Sequence, residues 1–217
     1  MATTQPAFQR ARRPEHKAQR AESILAAARL LGLRDGVRSV TLTDIAAEVG
    51  IHKSAVLRYF ETREEIYLHL TAEGWQGWAT ATRDALGADT GVAALTGALT
   101  GALAERPLFC ELLAHASLHL ERNVSAGAVR DFKLTSLAAE DELRATARKA
   151  VPALGERGSA DLVAGVLAVA ASLWQTSHPP ATLAALYEHD PRLRHAAIDF
   201  AVRLHGLVEA LIVGLAS

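Results

Sequence analysis

Lys53, Ser54, Ala55, Leu57, Arg58 and Tyr59 bring two cations, a hydroxyl, a phenol and small or apolar groups into seven consecutive positions. That mixture suits the major groove of DNA, where cations meet phosphates and guanine edges and apolar groups meet thymine methyls. A second set, Glu111, His115 and His119, repeats every fourth residue. On a helix such spacing can turn three side chains toward one divalent metal, so these residues form the chain's candidate for metal chemistry. No Gly-rich phosphate loop and no nucleophile elbow is present, and Cys110 reads as a small buried hydrophobe. No catalytic residue, no metal and no cofactor is assigned, and the chain is expected not to be an enzyme.

The elements that must position the first set can be read from the flanking residues. Thr41 and Asp44 have the spacing of a capping box, so a helix starts near Leu42. Leu42, Ile45, Ala46 and Val49 form its apolar stripe, and Gly50 supplies the left-handed stop. A second short helix is predicted over 53–60, pinned by Val56 and Phe60 and leaving Ser54 and Arg58 on the opposite face. Thr62 and Glu65 form another capping box, which starts a third helix at Arg63, with free N–H groups near where a phosphate can sit. Two short helices joined by a Gly-centred turn are the layout of a helix-turn-helix.

The stretch LTDIAAEVGIHKSAVLRYFETREEIYLHL, with the preceding RAESILAAARLLGLRDGVRSVT, resembles the TetR-type transcriptional regulators. The likeness runs over roughly residues 17 to 70 and is specific at that length. It implies an N-terminal three-helix DNA-binding domain and a larger C-terminal helical domain for effector binding and dimerisation. Carried over by position, Thr41 and Thr43 fall at phosphate contacts, Lys53, Ser54, Ala55, Leu57 and Tyr59 on the recognition helix, and Arg63 at the basic residue that binds backbone. Leu57 stands where tyrosine is common, which replaces a polar or stacking contact by an apolar one; Arg58 is then a candidate for specificity.

Composition agrees. Of 217 residues half are hydrophobic, enough for one large or two small cores, and the single cysteine excludes an intramolecular disulfide. A cytoplasmic protein is expected, since no apolar leader follows Met1 and the longest apolar run, Leu162 to Trp174, is roughly 13 residues against about 20 for a bilayer span. Net charge is −1, but residues 1–63 carry +5 and residues 64–217 carry −6, which places polyanion binding at the N-terminal end. Arg10, Arg12 and Arg13 lie between Pro6 and Pro14, and are read either as a mobile basic arm that touches DNA or as a solvated tail.

Helical periodicity continues to the C-terminus, so an all-α fold is predicted, with a basic arm at 1–14, the helix-turn-helix domain at 15–62 and the effector and dimerisation domain at 63–217. Helices are expected near 16–33, 42–49, 53–60, 63–86, 91–104, 107–121, 125–150, 159–177, 181–188 and 191–215, with Ser125 and Ser159 as N-caps. The resemblance implies a small-molecule cavity in the C-terminal domain. Trp75, Trp78, Phe109, Leu112, His115, His119, Phe132, Trp174 and Gln175 are its candidate lining, against the alternative that the aromatics are plain core. Leu167, Phe200, Leu204, Leu207, Val208 and Leu211 are candidate dimer contacts, on helices that the family uses for a four-helix interface. The reading is therefore a homodimeric repressor of a palindromic operator, released by a small molecule. A DNA-binding protein of the same fold without ligand control, an activator, and a helical metal-dependent enzyme remain alternatives.

Overall fold

A computed structural model describes the backbone of residues 8–115, 120, 123–193 and 198–217, with side chains from His16 onward. The side chains of Arg10, Arg12 and Arg13, and the whole of His119, lie outside the described residues. Among the described residues ten α-helices follow one another, with no strand.

The N-terminal unit is built by helices α1 (Phe8–Asp35), α2 (Leu42–Val49) and α3 (Lys53–Val56). The first begins earlier than the expected residue 16, so the backbone of 8–14 is helical where a flexible arm was expected. The Arg, Ala and Gln content of this stretch favours helix. Gly36, at φ +81°, ends α1. Thr41 and Asp44 make the full capping box: the Thr41 N–H donates to the Asp44 carboxylate at 2.8 Å and the Asp44 N–H to the Thr41 hydroxyl at 3.3 Å. Gly50, at φ +72°, closes α2. The α-helical part of α3 ends sooner than predicted. From Leu57 to Phe60 the backbone continues in tighter turns, with Tyr59 N–H bonded to Val56 C=O at 2.9 Å. Ile24, Ala28, Leu31, Val40, Ile45, Val56 and Phe60 bury the inward faces of these helices against the start of α4.

Helix α4 (Arg63–Leu86) runs unbroken from this unit into the C-terminal domain, as expected. Its Thr62 cap accepts the Glu65 N–H at 3.1 Å, but Glu65 reaches one residue further back than a capping box requires and takes the Glu61 N–H at 2.5 Å. Then come α5 (Val92–Ala104), α6 (Pro107–His115), α7 (Ala126–Ala150), a 3-10 turn at Pro152–Leu154, α8 (Gly155–Ser177), α9 (Ala181–His189) and α10 (Phe200–Leu215). Ser125 caps α7 as predicted, its hydroxyl 3.2 Å from the Ala128 N–H. Ser159 does not cap α8. The helix starts four residues earlier, and the Ser159 hydroxyl is buried, donating to Glu156 C=O and accepting from Arg148 Nη1. Helix α10 starts later than the expected residue 191, at the Asp199 cap, whose carboxylate accepts the Val202 N–H at 3.0 Å.

Helix α8 with its preceding turn is long and apolar enough, by length and composition, to cross a membrane, which the apolar run in the sequence had not suggested. In the fold one stripe of it is buried, through Leu162, Val163, Val166 and Ala170, and packs against α6, α7 and α10. It meets α10 closely at two glycines. A Cβ on Gly158 would lie 3.3 Å from the Leu215 carbonyl, and one on Gly165 3.3 Å from a Leu211 methyl.

Candidate nucleic-acid interface

The helix-turn-helix presents the predicted face outward. Lys53, Ser54, Leu57 and Arg58 are exposed, Leu57 by 45 %, while Val56 and Phe60 are buried beneath them. Ala55 and Tyr59 stand half-buried at the edge of this face, and Thr41 and Thr43 are exposed beside it at the start of α2. The surface thus offers two exposed cations, hydroxyls and one apolar side chain on and beside a short helix.

Sequence reasoning missed His52, which caps α3. Its Nδ1 accepts the Ser54 N–H at 3.3 Å and lies 2.9 Å from the Ser54 hydroxyl. Because Nδ1 must be the acceptor for that backbone N–H, the neutral ring carries its proton on Nε2. Histidine is not among the usual N-cap residues, so composition gave no warning; its place just before the first helical residue was the available signal. His52→Ala is expected to lower stability by about 1 kcal/mol, and His52→Ser, which keeps a cap acceptor, by a few tenths. Denaturant unfolding of both variants checks this, and equal losses would show that the cap contributes nothing.

Arg63 is not turned toward solvent as a phosphate anchor. Its side chain is only 20 % exposed, and Nη1 donates to the carbonyls of Val37 at 3.0 Å and Val40 at 2.9 Å while Nε pairs with Glu64 at 3.1 Å. The guanidinium also lies over the Tyr67 ring, 5.5 Å from its centre. The physical reason is local: the loop between α1 and α2 leaves carbonyls pointing at the start of α4, and a planar multi-donor cation satisfies several at once. Arg63→Ala is therefore expected to destabilise the chain by about 2–4 kcal/mol and to leave the salt slope of DNA binding unchanged. A slope smaller by about one would restore the phosphate role. Calorimetry and salt-dependent binding read the two effects separately.

The candidate effector residues do not gather at one place. Trp75, Trp78 and Phe109 pack on one another with ring centres 5.9 to 6.4 Å apart, and the Trp78 indole donates to Leu99 C=O at 3.1 Å. Phe109 sits over Gly74, where a Cβ would come within 2.2 Å of the ring. Leu112 and His115 are buried nearby on α6. Trp174 belongs to a different group, stacked on His178 at 3.7 Å and edge-on to Phe200 at 5.0 Å, while Gln175 is exposed. Phe132 lines a third place, a hollow of about 320 Å3 between α4 and α7 shared with Leu68, Ala72, Glu65, His69 and Asp131. Aromatics three apart on a helix share a stripe whether that stripe meets core or cavity, so their spacing could not separate the two.

Glu111, the first of the spaced metal candidates, is engaged by a backbone N–H. It accepts the Val37 N–H at 2.7 Å, and burial raises its pKa against the opposing pull of that N–H and of His178. Among the described residues no group of three His, Cys, Asp or Glu side chains converges. Cys110 is buried, its thiol pushed up to about 12 by desolvation and within 3.4 Å of Leu103 C=O, which leaves no reactive thiolate.

A family of bacterial regulatory proteins, the tetR family, matches residues 24–70, and the tetracyclin repressor-like C-terminal domain matches residues 72–217. The chain belongs to the TetR family of transcriptional regulators, with a DNA-binding helix-turn-helix ahead of a helical C-terminal domain. Its fold is similar to that of a TetR family transcriptional regulator, PfmR from Thermus thermophilus, at 18 % identity and a TM-score of 0.56, covering 88 % of this chain and 97 % of that one. A putative transcriptional regulator from a Rhodococcus species is similar at 16 % identity and the same TM-score, with 89 % and 92 % covered. No curated protein matches the sequence.

Proposed function

We propose that the chain is a cytoplasmic, homodimeric repressor that binds a palindromic operator and is released by a small, largely apolar molecule. The observation that carries this is the outward set of Lys53, Ser54, Leu57 and Arg58 on a helix held from below by Val56 and Phe60. One such helix makes few base contacts, and two related by a twofold axis read an inverted repeat. Lys53 and the threonines at 41 and 43 serve phosphates, with Tyr59 at the edge, while Ser54, Ala55, Leu57 and Arg58 meet bases; Arg10, Arg12 and Arg13 extend the basic end.

The proposed dimer surface differs in part from the predicted one. Phe200, Leu204 and Val208 are buried inside the protomer against α5 and α8, because four-residue spacing puts them on the inward stripe of α10. Leu167, Leu207 and Leu211 are half-buried, and beside them α10 exposes Val202, Gly206, Ala210 and Val213. Small residues there let a second copy approach closely, and the outer face of α8 with Ala164 and Ala168 continues the same surface.

For the effector, the hollow between α4 and α7 fits best, with an apolar floor of Leu68, Ala72 and Phe132 and polar groups at its mouth. Release of DNA requires an effector that binds the DNA-incompetent arrangement more tightly, and DNA must then weaken effector binding by the same factor. A thermal-shift screen of small apolar molecules tests ligand control: saturable stabilisation that operator DNA opposes supports it, and stabilisation indifferent to operator removes it.

A further inference from the structure

We propose that Glu111 is a positioning residue through which α6 holds the DNA-binding unit in place, by accepting the Val37 N–H in the loop that leads into α2. This rests on the reading of the chain as a DNA-binding regulator and names a route by which its C-terminal domain governs DNA binding. Val37 is 1 % exposed and follows the left-handed Gly36, so its N–H points into the protein at the end of α1, where helix bonding stops. The acceptor comes from 74 residues away, at 2.7 Å. The same residue's carbonyl is taken by Arg63 of α4 at 3.0 Å, so Val37 is gripped from both sides by two helices that continue into the C-terminal domain or belong to it.

One turn earlier on α6, Leu108 packs where α1 passes with a glycine. A Cβ on Gly32 would come within 3.0 Å of the Leu108 methyl, and the Tyr67 ring of α4 is beside it. Helix α6 therefore bears on the DNA-binding unit through an apolar contact and a directional one, while its other side packs on α8 and, through Phe109, on Gly74 of α4. Apolar contacts tolerate small sliding. A hydrogen bond at 2.7 Å does not, and a displacement of about 1 Å carries it out of range. The loop it holds ends at the Thr41 cap, so its release lets the capped α2 shift as an intact helix and, through the tight turn at Gly50, carries α3 with it.

The test uses the full-length chain with Glu111→Ala and Glu111→Gln, an operator recovered from random duplex DNA by the unmodified chain, and hydrogen exchange resolved at Val37. Glu111→Ala is expected to speed Val37 exchange at least about tenfold and to weaken operator binding about tenfold, with exchange inside α2 and α4 unchanged. Glu111→Gln keeps a carbonyl acceptor and is expected to restore both to within about twofold. Should the alanine variant fail to fold, Glu111→Asp, one methylene shorter, is expected to show the same pair of changes. Operator affinity equal to the unmodified chain in the alanine or aspartate variant overturns the proposal, as does a glutamine variant no better than alanine. If the unmodified chain recovers no operator at all, the DNA-binding reading fails and this inference with it, an outcome separate from the others because it needs no variant.

Discussion

Reversing both cations of the outward face, Lys53→Glu with Arg58→Glu, is expected to abolish specific DNA binding while leaving the melting temperature unchanged. Both side chains are exposed, so the fold loses little. Against a polyanion the pair changes from attraction to repulsion by four charges, and a loss of at least ~100-fold in affinity at physiological salt follows from counterion release alone. Single alanine changes separate the two roles. Lys53→Ala should weaken all sequences alike and reduce the salt slope by about one, whereas Arg58→Ala should relax the preference at one base pair per half-site. Fluorescence anisotropy on an operator and its single-base variants measures both. Uniform loss in the Arg58 variant would make it another anchor and leave Ser54, Ala55 and Leu57 as the base readers.

Trp78→Ala is expected to produce the largest loss of stability. The indole is fully buried, touches Trp75 and Phe109, and bonds to Leu99 C=O. Removing it leaves a large cavity and takes a second donor from a carbonyl that keeps its own helix bond, which costs about 3–5 kcal/mol, a large share of the roughly 5–15 kcal/mol that holds a domain folded. In a chain of this length the melting temperature should fall by roughly 10 °C. The half-buried Trp174, stacked on His178, should lose much less on the same substitution. Calorimetry on both variants decides whether Trp78 is core or cavity lining. A Trp78→Ala chain of normal stability that no longer responds to an effector would mean that the indole lines a ligand site.

The DNA-binding unit was legible because its physics is local. The Thr41–Asp44 box, the Gly50 stop and the Val56–Phe60 pair each act within a few residues, and every one stands as its spacing predicts. The continuous α4 was legible for the same reason, having a cap at Thr62 and no proline, only the isolated Gly74 and Gly77, before Gly87. What escaped depends on partners far along the chain. Arg63 has the charge and place of a phosphate anchor, yet carbonyls more than twenty residues upstream claim it. Glu111 has metal-ligand spacing, yet a backbone N–H at Val37 takes its carboxylate. On α10 the periodicity correctly marks an apolar helix, but it cannot say that Phe200, Leu204 and Val208 turn to the chain's own core and leave a stripe of smaller residues outside.

That division explains why the two ends of the molecule differ in how far they can be read. A recognition helix must be exposed, so its chemistry shows as polar residues on a face whose opposite side is apolar. An effector site is apolar and enclosed, like the core around it, and the same leucines and tryptophans serve either. The hollow between α4 and α7 became visible only when Ser125, Gly127 and Ala128 at the start of α7 were brought beside Leu68 and Ala72 of α4.

The most direct test is selection of random double-stranded DNA by the full-length chain at near-physiological salt, followed by sequencing of the bound pool. An enriched inverted repeat with half-sites about one helical turn apart, lost from the Lys53→Glu, Arg58→Glu variant, is the predicted result. A bound pool no different from the input, or one that the double variant enriches equally well, would contradict the assignment of the Lys53 to Tyr59 face as the surface that reads DNA.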